Sequence, residues 1–281
     1  MNVRRKSPPA LFVLIFGLSL PFWVVGALVE SPEGMPMGLP VSALMFVAPL
    51  VAAVILSARE HGRAGVGELL RRAVDHRKIE SRAWLTVAVL LMPAVLLLSY
   101  GVLSLRGDAL PPAAISWASV PVLLVLFLVA AAAEELGWMG YAVDPLRARW
   151  GATVAGVVIG AVWGLWHVVP WAQTHAPGWV AGQFLMTVAL RVVMVRVYVN
   201  AGGSVLTSIV VHAMTNLGIA LFPRDGSHFD PVVTGVIVTA VAVAVTLGAG
   251  TRWRGREASA GGASRPRSGV GEAPAGEVPQ A

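Results

Sequence analysis

Two adjacent glutamates, Glu134 and Glu135, interrupt the hydrophobic run at residues 121–143. A carboxylate at the centre of a membrane-spanning helix costs about 2.5–3.5 kcal/mol on the insertion scale, so a pair indicates either chemistry or a specific partner. Strongly polar side chains also occur in the apolar stretches that follow, namely His167, Gln183, His212 and Asn216. Because such groups avoid lipid, we expect them to face the interior of a helical bundle and to enclose one shared site.

This set of side chains is sufficient for hydrolysis. A carboxylate can take a proton from water, one imidazole can orient that water, and the remaining His and Asn can donate hydrogen bonds to an oxyanion. Glu134, His167 and His212 could instead supply the three ligands of a hydrolytic zinc site. The spacing does not distinguish metal-free hydrolysis from a zinc site, because the HExxH motif is absent and the ligands would come from three helices.

Helical geometry predicts how the polar groups are arranged. Glu134 and Glu135 differ by about 100° around a helix axis, so one should line the cavity while the other braces it. A polar stripe with a spacing of four residues is predicted on the seventh apolar stretch, at Ser204, Ser208, His212 and Asn216. In the fifth stretch, Gly156, Gly160 and Gly164 form a GxxxGxxxG pattern, which allows a neighbouring backbone to approach closely.

The composition is that of a polytopic membrane protein. Of 281 residues, 56% are hydrophobic and 13% charged, and the mean hydropathy is +0.73. The absence of cysteine excludes disulfides, Cys-ligated zinc and a thiol nucleophile. The net charge of +6 comes from basic residues beside apolar stretches, which is typical of membrane topology and argues against a nucleic-acid partner.

The predicted fold is an all-α bundle of about eight transmembrane helices with both termini in the cytoplasm. Each apolar stretch is near the ~20 residues needed to cross a bilayer. The stretches are residues 10–29, 39–58, 83–105, 117–142, 152–171, 178–198, 203–222 and 231–249.

The positions of the basic residues support an even number of spans. With the N-terminus inside, nineteen of the 21 Lys and Arg residues fall on the cytoplasmic side, and only Arg106 and Arg224 fall outside. One span more or fewer would remove this excess of basic residues on the cytoplasmic side, because every later loop would change sides. The first span could alternatively be a cleaved signal peptide, although its length exceeds the usual 7–15 apolar residues of a signal core.

The chain divides into a cytoplasmic N-terminus (1–9), a transmembrane bundle (10–250) and a tail (251–281) rich in Gly, Ala, Pro and Ser that we expect to be disordered. Within the bundle, residues 59–82 form a cytoplasmic loop with Leu69, Leu70 and Val74 at helical spacing. An interfacial amphipathic helix is expected there.

Three sequence elements together resemble the CAAX-protease and bacteriocin-processing (CPBP, or Abi) family, which includes the type II CAAX prenyl endopeptidases. Residues 134–141 (EELGWMGY) resemble the family's EExxxR element, residues 163–167 (WGLWH) its FxxxH element, and residues 212–216 (HAMTN) its HxxxN element. The resemblance covers a core at about residues 117–222.

The resemblance implies an intramembrane endopeptidase of the glutamate type. Glu134 would be the general base that activates water with the help of His167, while His212 and Asn216 would form the oxyanion site. Glu135 and Trp163 would be supporting residues. The resemblance implies no required cofactor, although the family was first described as metalloproteases and zinc remains an alternative.

One departure from the family pattern concerns Glu135. Met139 stands where the family has Arg, and a thioether cannot pair with a carboxylate. Glu135 should therefore be protonated or find another cation, for which Arg191 and Arg196 on the sixth span are candidates.

We expect the partners to be the lipid bilayer of the cell membrane and a membrane-associated peptide or protein substrate. Two other functions stay open at this point. A non-catalytic CPBP-like partner or immunity protein would tolerate Met139, and a proton-coupled transporter would also bury Glu and His. A transporter would, however, be expected to show internally repeated halves, which the first three spans do not indicate.

Overall fold

The computed structural model describes residues 6–30 and 39–262, with side chains up to residue 248, and these residues form helices and connecting segments without a strand. The α-helices are α1 (Pro8–Leu28), α2 (Ala48–Arg71), α3 (Arg82–Leu105), α4 (Val120–Glu135), α5 (Val143–Thr174), α6 (Pro177–Asn200), α7 (Val205–Leu221) and α8 (Pro231–Gly262). A 3₁₀ segment, Val41–Val47, precedes α2, and a π-helix, Leu136–Ala142, joins α4 to α5.

The helices confirm the predicted all-α membrane fold. In the part of the chain that the structure describes, six stretches are long and apolar enough to cross a membrane, and one of them, Val120–Thr174, contains both the fourth and the fifth predicted spans. The remaining predicted span corresponds to α7, which is a shorter apolar helix. The chain is therefore a multi-pass integral membrane protein.

Helix α8 extends to Gly262, within the tail that is predicted to begin at residue 251. The predicted domain boundaries stay predictions. Residues up to Val245 form one compact unit and those from Thr246 a second. The tail residues 263–281 and the N-terminal residues 1–5 lie outside the described part of the chain.

The expected helix in residues 59–82 is a continuation of α2. Gly62 has a φ of 62°, which breaks the helix and sets residues 63–71 off from the apolar part. Leu69 is fully buried, whereas Leu70 and Val74 are exposed. Leu69 therefore anchors this segment to the bundle.

The glycine stripe of α5 packs against α6, as its spacing predicts. A Cβ atom on Gly156 would lie 2.9 Å from the Cα of Val192, and one on Gly160 would lie 2.9 Å from the Cα of Val188. Only glycine permits this approach, which brings the two helices together beside the polar residues of the bundle.

Polar contacts define two ends of the bundle. At the end that we call the basic end, Arg72 lies 3.2 Å from Asp144, and Asp75 accepts a hydrogen bond from Ser204 (2.7 Å) at the start of α7. At the other end, Gln173 bonds to Ser42 (2.6 Å), and the backbone of Ala114 donates to the carbonyl of Pro223 (2.8 Å). Each connection between helices therefore lies at a defined end.

Candidate active site

Glu134 and Glu135 close the last turn of α4, and both are buried. The carboxylate of Glu134 accepts a hydrogen bond of 2.8 Å from Nε1 of Trp163 on α5. This bond fixes the carboxylate without neutralising its charge, because an indole N–H is an uncharged donor.

Glu135 is held by charged and polar groups of two other helices. It forms a fully buried ion pair with Arg191 of α6, and its second oxygen lies 2.9 Å from Nδ1 of His212 on α7. The Arg191 guanidinium also lies 4.0 Å from the centroid of the Trp163 ring, a distance that favours a cation–π interaction. One arginine thus contacts both Glu135 and the tryptophan that binds Glu134.

Arg191 therefore provides the cation that Met139 cannot supply. The other candidate, Arg196, donates instead to Oγ1 of Thr153 at 2.5 Å. Met139 itself is fully buried in the π-helix.

The π-helix after the glutamates changes the hydrogen-bond pattern of the backbone, a feature often found beside functional sites. The carbonyl of Gly140 accepts hydrogen bonds from Lys6 (3.1 Å) and Arg72 (2.6 Å). Burial, reinforced by the nearby charge of Arg72, lowers the pKa of Lys6 to about 8. The N-terminal segment and α2 thereby hold the backbone that follows Glu135.

His167 lies within a group of aromatic rings. Its Nδ1–H donates to the carbonyl of Trp163 (3.0 Å), which leaves Nε2 as the ring nitrogen available for other partners. The imidazole stacks on Trp171 with centroids 5.1 Å apart and meets the edge of Trp166 at 4.5 Å. These contacts orient the imidazole.

A cavity of about 500 Å³ brings the predicted site residues together. Its lining includes Glu134, Trp163, His167, His212 and Asn216. Glu135 is not part of this lining and lies behind it with Arg191. The two adjacent glutamates thus have different positions, one on the cavity and one in the packed interior.

The sixth helix also contributes polar groups to the cavity, through Gln183 and Thr187. The oxygen of the Gln183 amide is buried without a hydrogen-bond partner within the described residues. A substrate or solvent molecule in the cavity could satisfy it.

Within the part of the chain that the structure describes, no group of three or more His, Cys, Asp or Glu side chains is arranged to hold a metal ion. Glu134, His167 and His212 line the same cavity, and Trp163 contacts all three: it donates to Glu134 and meets both imidazoles edge-on, with centroids 5.6 and 5.1 Å away.

Some contributing residues are not evident from the sequence. Asp75 accepts hydrogen bonds from the backbone N–H groups of Val205 and Leu206, both at 3.2 Å, and so caps the helix that carries His212. Only the spacing of Trp171, one turn after His167, could have indicated its role. For Asp75 and Lys6 there is no sequence signal, because their partners are more than 120 residues away.

Together, the fold and the cavity define a class of protein: a multi-pass helical membrane protein whose bundle encloses a glutamate–histidine site. Two comparisons with known proteins agree with this class. Residues 116–218 match the family model described as type II CAAX prenyl endopeptidase Rce1-like. These residues include all three motifs.

A curated relative points to the same family. The chain is 31% identical over 172 residues to CAAX prenyl protease 2 of Methanococcus maripaludis. The match covers 58% of this chain and 62% of the relative's length, so the chain spans less than two thirds of the relative it matches. Both matches support the resemblance to the CPBP family that the three motifs indicated, and residues 116–218 are the part that matches the Rce1-like model.

Proposed function

We propose that the protein is an intramembrane endopeptidase that hydrolyses a peptide bond of a membrane-associated peptide or protein. The observation that carries this proposal is the division between the glutamates: Glu134 lines the cavity, whereas Glu135 is paired with Arg191 behind it. Among the described residues Glu134 forms no ion pair of its own, and a carboxylate of this kind on a cavity is suited to accept a proton from water.

In this mechanism, Glu134 takes a proton from a water molecule that lies between it and His167. Trp163 holds the Glu134 carboxylate, and its carbonyl orients His167, so a single residue sets the geometry of both groups. Nε2 of His167 accepts a hydrogen bond from the water. The resulting hydroxide attacks the carbonyl carbon of the scissile peptide bond, and Glu134 then returns the proton to the leaving amine.

His212 and Asn216 would stabilise the oxyanion of the tetrahedral intermediate. Nδ1–H of His212 donates to Glu135, so Nε2 is the nitrogen left for the substrate. A second proton on Nε2 makes it a donor, and the Glu135 carboxylate offsets the charge of that imidazolium. Removing one preorganised donor of this kind typically lowers kcat by a factor of about 10²–10³.

The non-catalytic alternative loses its main support. It rested on Met139, which removes the family arginine from its usual place. Because Arg191 forms an ion pair with Glu135, the substitution does not leave that carboxylate without a cation.

The proposal is tested with the purified protein in detergent and a broad panel of membrane-anchored peptides. The wild type should yield a discrete product by mass spectrometry, and Glu134→Gln should yield none. The matched control is Glu80→Gln, the same change at an exposed loop position, which should leave the product unchanged. Absence of cleavage by the wild type across the whole panel would refute the proposal.

A further inference from the structure

A second cavity lies at the basic end of the bundle and is separate from the candidate active site. Its volume is about 640 Å³. Its walls come from the end of α2, the segment that follows it, the start of α5 and the turn between α6 and α7. None of its lining residues lines the cavity that contains Glu134. We call this second cavity the basic pocket.

Charged side chains dominate the lining of the basic pocket. The cations are Arg71, Arg72, Lys78 and Arg147. The acids are Glu68, Asp75 and Asp144. Because each arginine carries five N–H donors and the lysine three, the lining offers many more donors than the acids can occupy.

Two of the acids already serve the fold. Asp75 caps α7 and lies 3.4 Å from Lys78. Asp144 accepts a hydrogen bond of 2.9 Å from Tyr198 and lies 3.2 Å from Arg72. A bound cation would have to displace these partners, whereas an anion would add acceptors to donors that are already in place.

Several donors of the pocket have no acceptor. Nε of Arg72 is buried without a hydrogen-bond partner within the described residues. Arg71 is exposed and forms no hydrogen bond or ion pair with any residue that the structure describes. Lys78 and Arg147 are 46% and 41% exposed, so each keeps N–H groups open to a ligand. A phosphate group, whose oxygens accept from forked arginine donors, matches this set.

Exposed apolar residues adjoin the basic pocket. Leu70 and Val74, one turn apart, are 45% and 65% exposed on either side of the two arginines at the end of α2. Trp150, which follows the pocket residues of α5, is 44% exposed. Basic groups beside exposed apolar and tryptophan side chains at the end of a membrane bundle are typical of the headgroup region.

We propose that the basic pocket binds a phosphate-bearing anion, and that its source is the headgroup of an anionic phospholipid. The pocket donors would hold the phosphate, while Leu70 and Val74 would contact the apolar part of the same lipid. Arg72 also donates to the carbonyl of Gly140 in the π-helix. A bound lipid should therefore stabilise the backbone that follows Glu135.

Lipid binding to the purified full-length protein in detergent tests this proposal. Phosphatidylglycerol is the anionic probe and phosphatidylcholine the neutral reference, and native mass spectrometry measures how much of each stays bound. The wild type should bind phosphatidylglycerol at least about tenfold more tightly than phosphatidylcholine, because only the anionic headgroup leaves the pocket donors without a competing cation. Phosphatidylglycerol should also raise the unfolding temperature more than phosphatidylcholine does.

A pair of double variants locates the binding. Arg71→Gln with Arg147→Gln removes two exposed cations of the pocket, and Arg63→Gln with Arg77→Gln removes two exposed cations outside it. Both variants lose the same net charge. The pocket variant should weaken phosphatidylglycerol binding by at least about tenfold, and the control by less than about twofold, because surface charges away from the pocket are screened. Equal affinities of the two variants, or no preference of the wild type for phosphatidylglycerol, would overturn the proposal.

A single variant guards against loss of the fold. If the pocket variant unfolds at a lower temperature than the wild type without lipid, Arg71→Gln alone replaces it, because Arg71 has no bond to lose within the described residues. This variant should weaken binding by at least about threefold. Wild-type affinity in a fully folded Arg71→Gln protein would count against the pocket.

Soluble phosphates identify the source of the anion. Glycerol 3-phosphate and inorganic phosphate would be added to the wild type at the concentration at which phosphatidylglycerol saturates it. Failure of both to displace the lipid supports the phospholipid headgroup. Displacement at equal concentration would overturn the lipid as source and assign the pocket to a soluble phosphate compound. These measurements need no peptidase activity, so their outcome is independent of the proposed function.

Discussion

At the scale of single residues, the site separates two adjacent carboxylates by giving them different partners. Glu134 has a neutral donor, the Trp163 indole, and lines the cavity. Glu135 has a cation, Arg191, and a shared bond with His212. Arg191 also packs on Trp163, so the group that neutralises Glu135 supports the group that holds Glu134.

Replacing Arg191 should therefore be costly. Arg191→Met leaves Glu135 buried beside His212 alone, and removing one member of a buried ion pair costs about 3–5 kcal/mol. We expect a clearly lower unfolding temperature in detergent together with loss of activity. Arg196→Met, the same change on the same helix, removes a hydrogen bond to Thr153 and should have a much smaller effect. An Arg191→Met variant as stable as the wild type would contradict this role.

Restoring the family arginine at position 139 should raise neither the activity nor the stability of the protein. Met139 is fully buried, and Glu135 already has its guanidinium, so Met139→Arg would bury a second charge without a partner. We expect a lower unfolding temperature and no gain in kcat. A large increase in rate would instead mean that the Arg191 pair is an inadequate substitute.

The mechanism assigns no step to a metal ion, so chelators should leave cleavage unaffected. Peptide hydrolysis would be measured after prolonged incubation with EDTA and with a zinc-selective chelator. Loss of activity that returns on adding zinc would require a metal in the site.

At the scale of elements, the position of Arg191 depends on how closely α5 and α6 approach. A Cβ atom on Gly160 would lie 3.0 Å from the Cβ of Arg191 as well as against the α6 backbone. Gly160→Ala should therefore separate the helices and lower stability by about 1–3 kcal/mol, as overpacking does, with a parallel loss of activity. Calorimetry or thermal unfolding in detergent would measure the change.

The matched control is Gly101→Ala in α3, where an added Cβ would have no neighbour within 4 Å. This change should be neutral or slightly stabilising, because alanine favours helices. Equal effects of the two substitutions would show that the close approach at Gly160 has no special role.

Part of this arrangement follows from periodicity alone. The GxxxGxxxG spacing predicts the close packing of α5 on a neighbouring helix, and the angle between Glu134 and Glu135 predicts their separation. The sequence offers Arg191 and Arg196 equally as partners, because the rotation of α6 relative to α4 is not encoded in local spacing. Packing at Gly160 decides between them, since it places Arg191 at the α5 interface.

Other features have no local sequence signature. In the π-helix at residues 136–142 the backbone hydrogen bonding changes, but the amino-acid composition of this segment is equally compatible with an ordinary apolar α-helix. The capping of α7 by Asp75 joins segments about 130 residues apart. Such long-range polar contacts depend on the assembled fold and not on the periodicity of either segment.

At the scale of the whole molecule, the bundle combines a polar cavity with an uneven distribution of charge. The basic residues collect at the end where Arg72 and Lys6 bond to the π-helix. The same cationic groups thus stabilise the backbone beside the glutamates and indicate the orientation of the bundle in the membrane.

The central claim, that Glu134 is the general base of a peptide hydrolase, is tested most directly by steady-state kinetics of Glu134→Gln on a cleaved peptide. The substitution keeps the shape of the side chain and the acceptor for Trp163 but removes the base. We predict that kcat falls by at least about 100-fold while KM and the unfolding temperature stay close to those of the wild type. A Glu134→Gln enzyme that retains wild-type kcat would contradict the account.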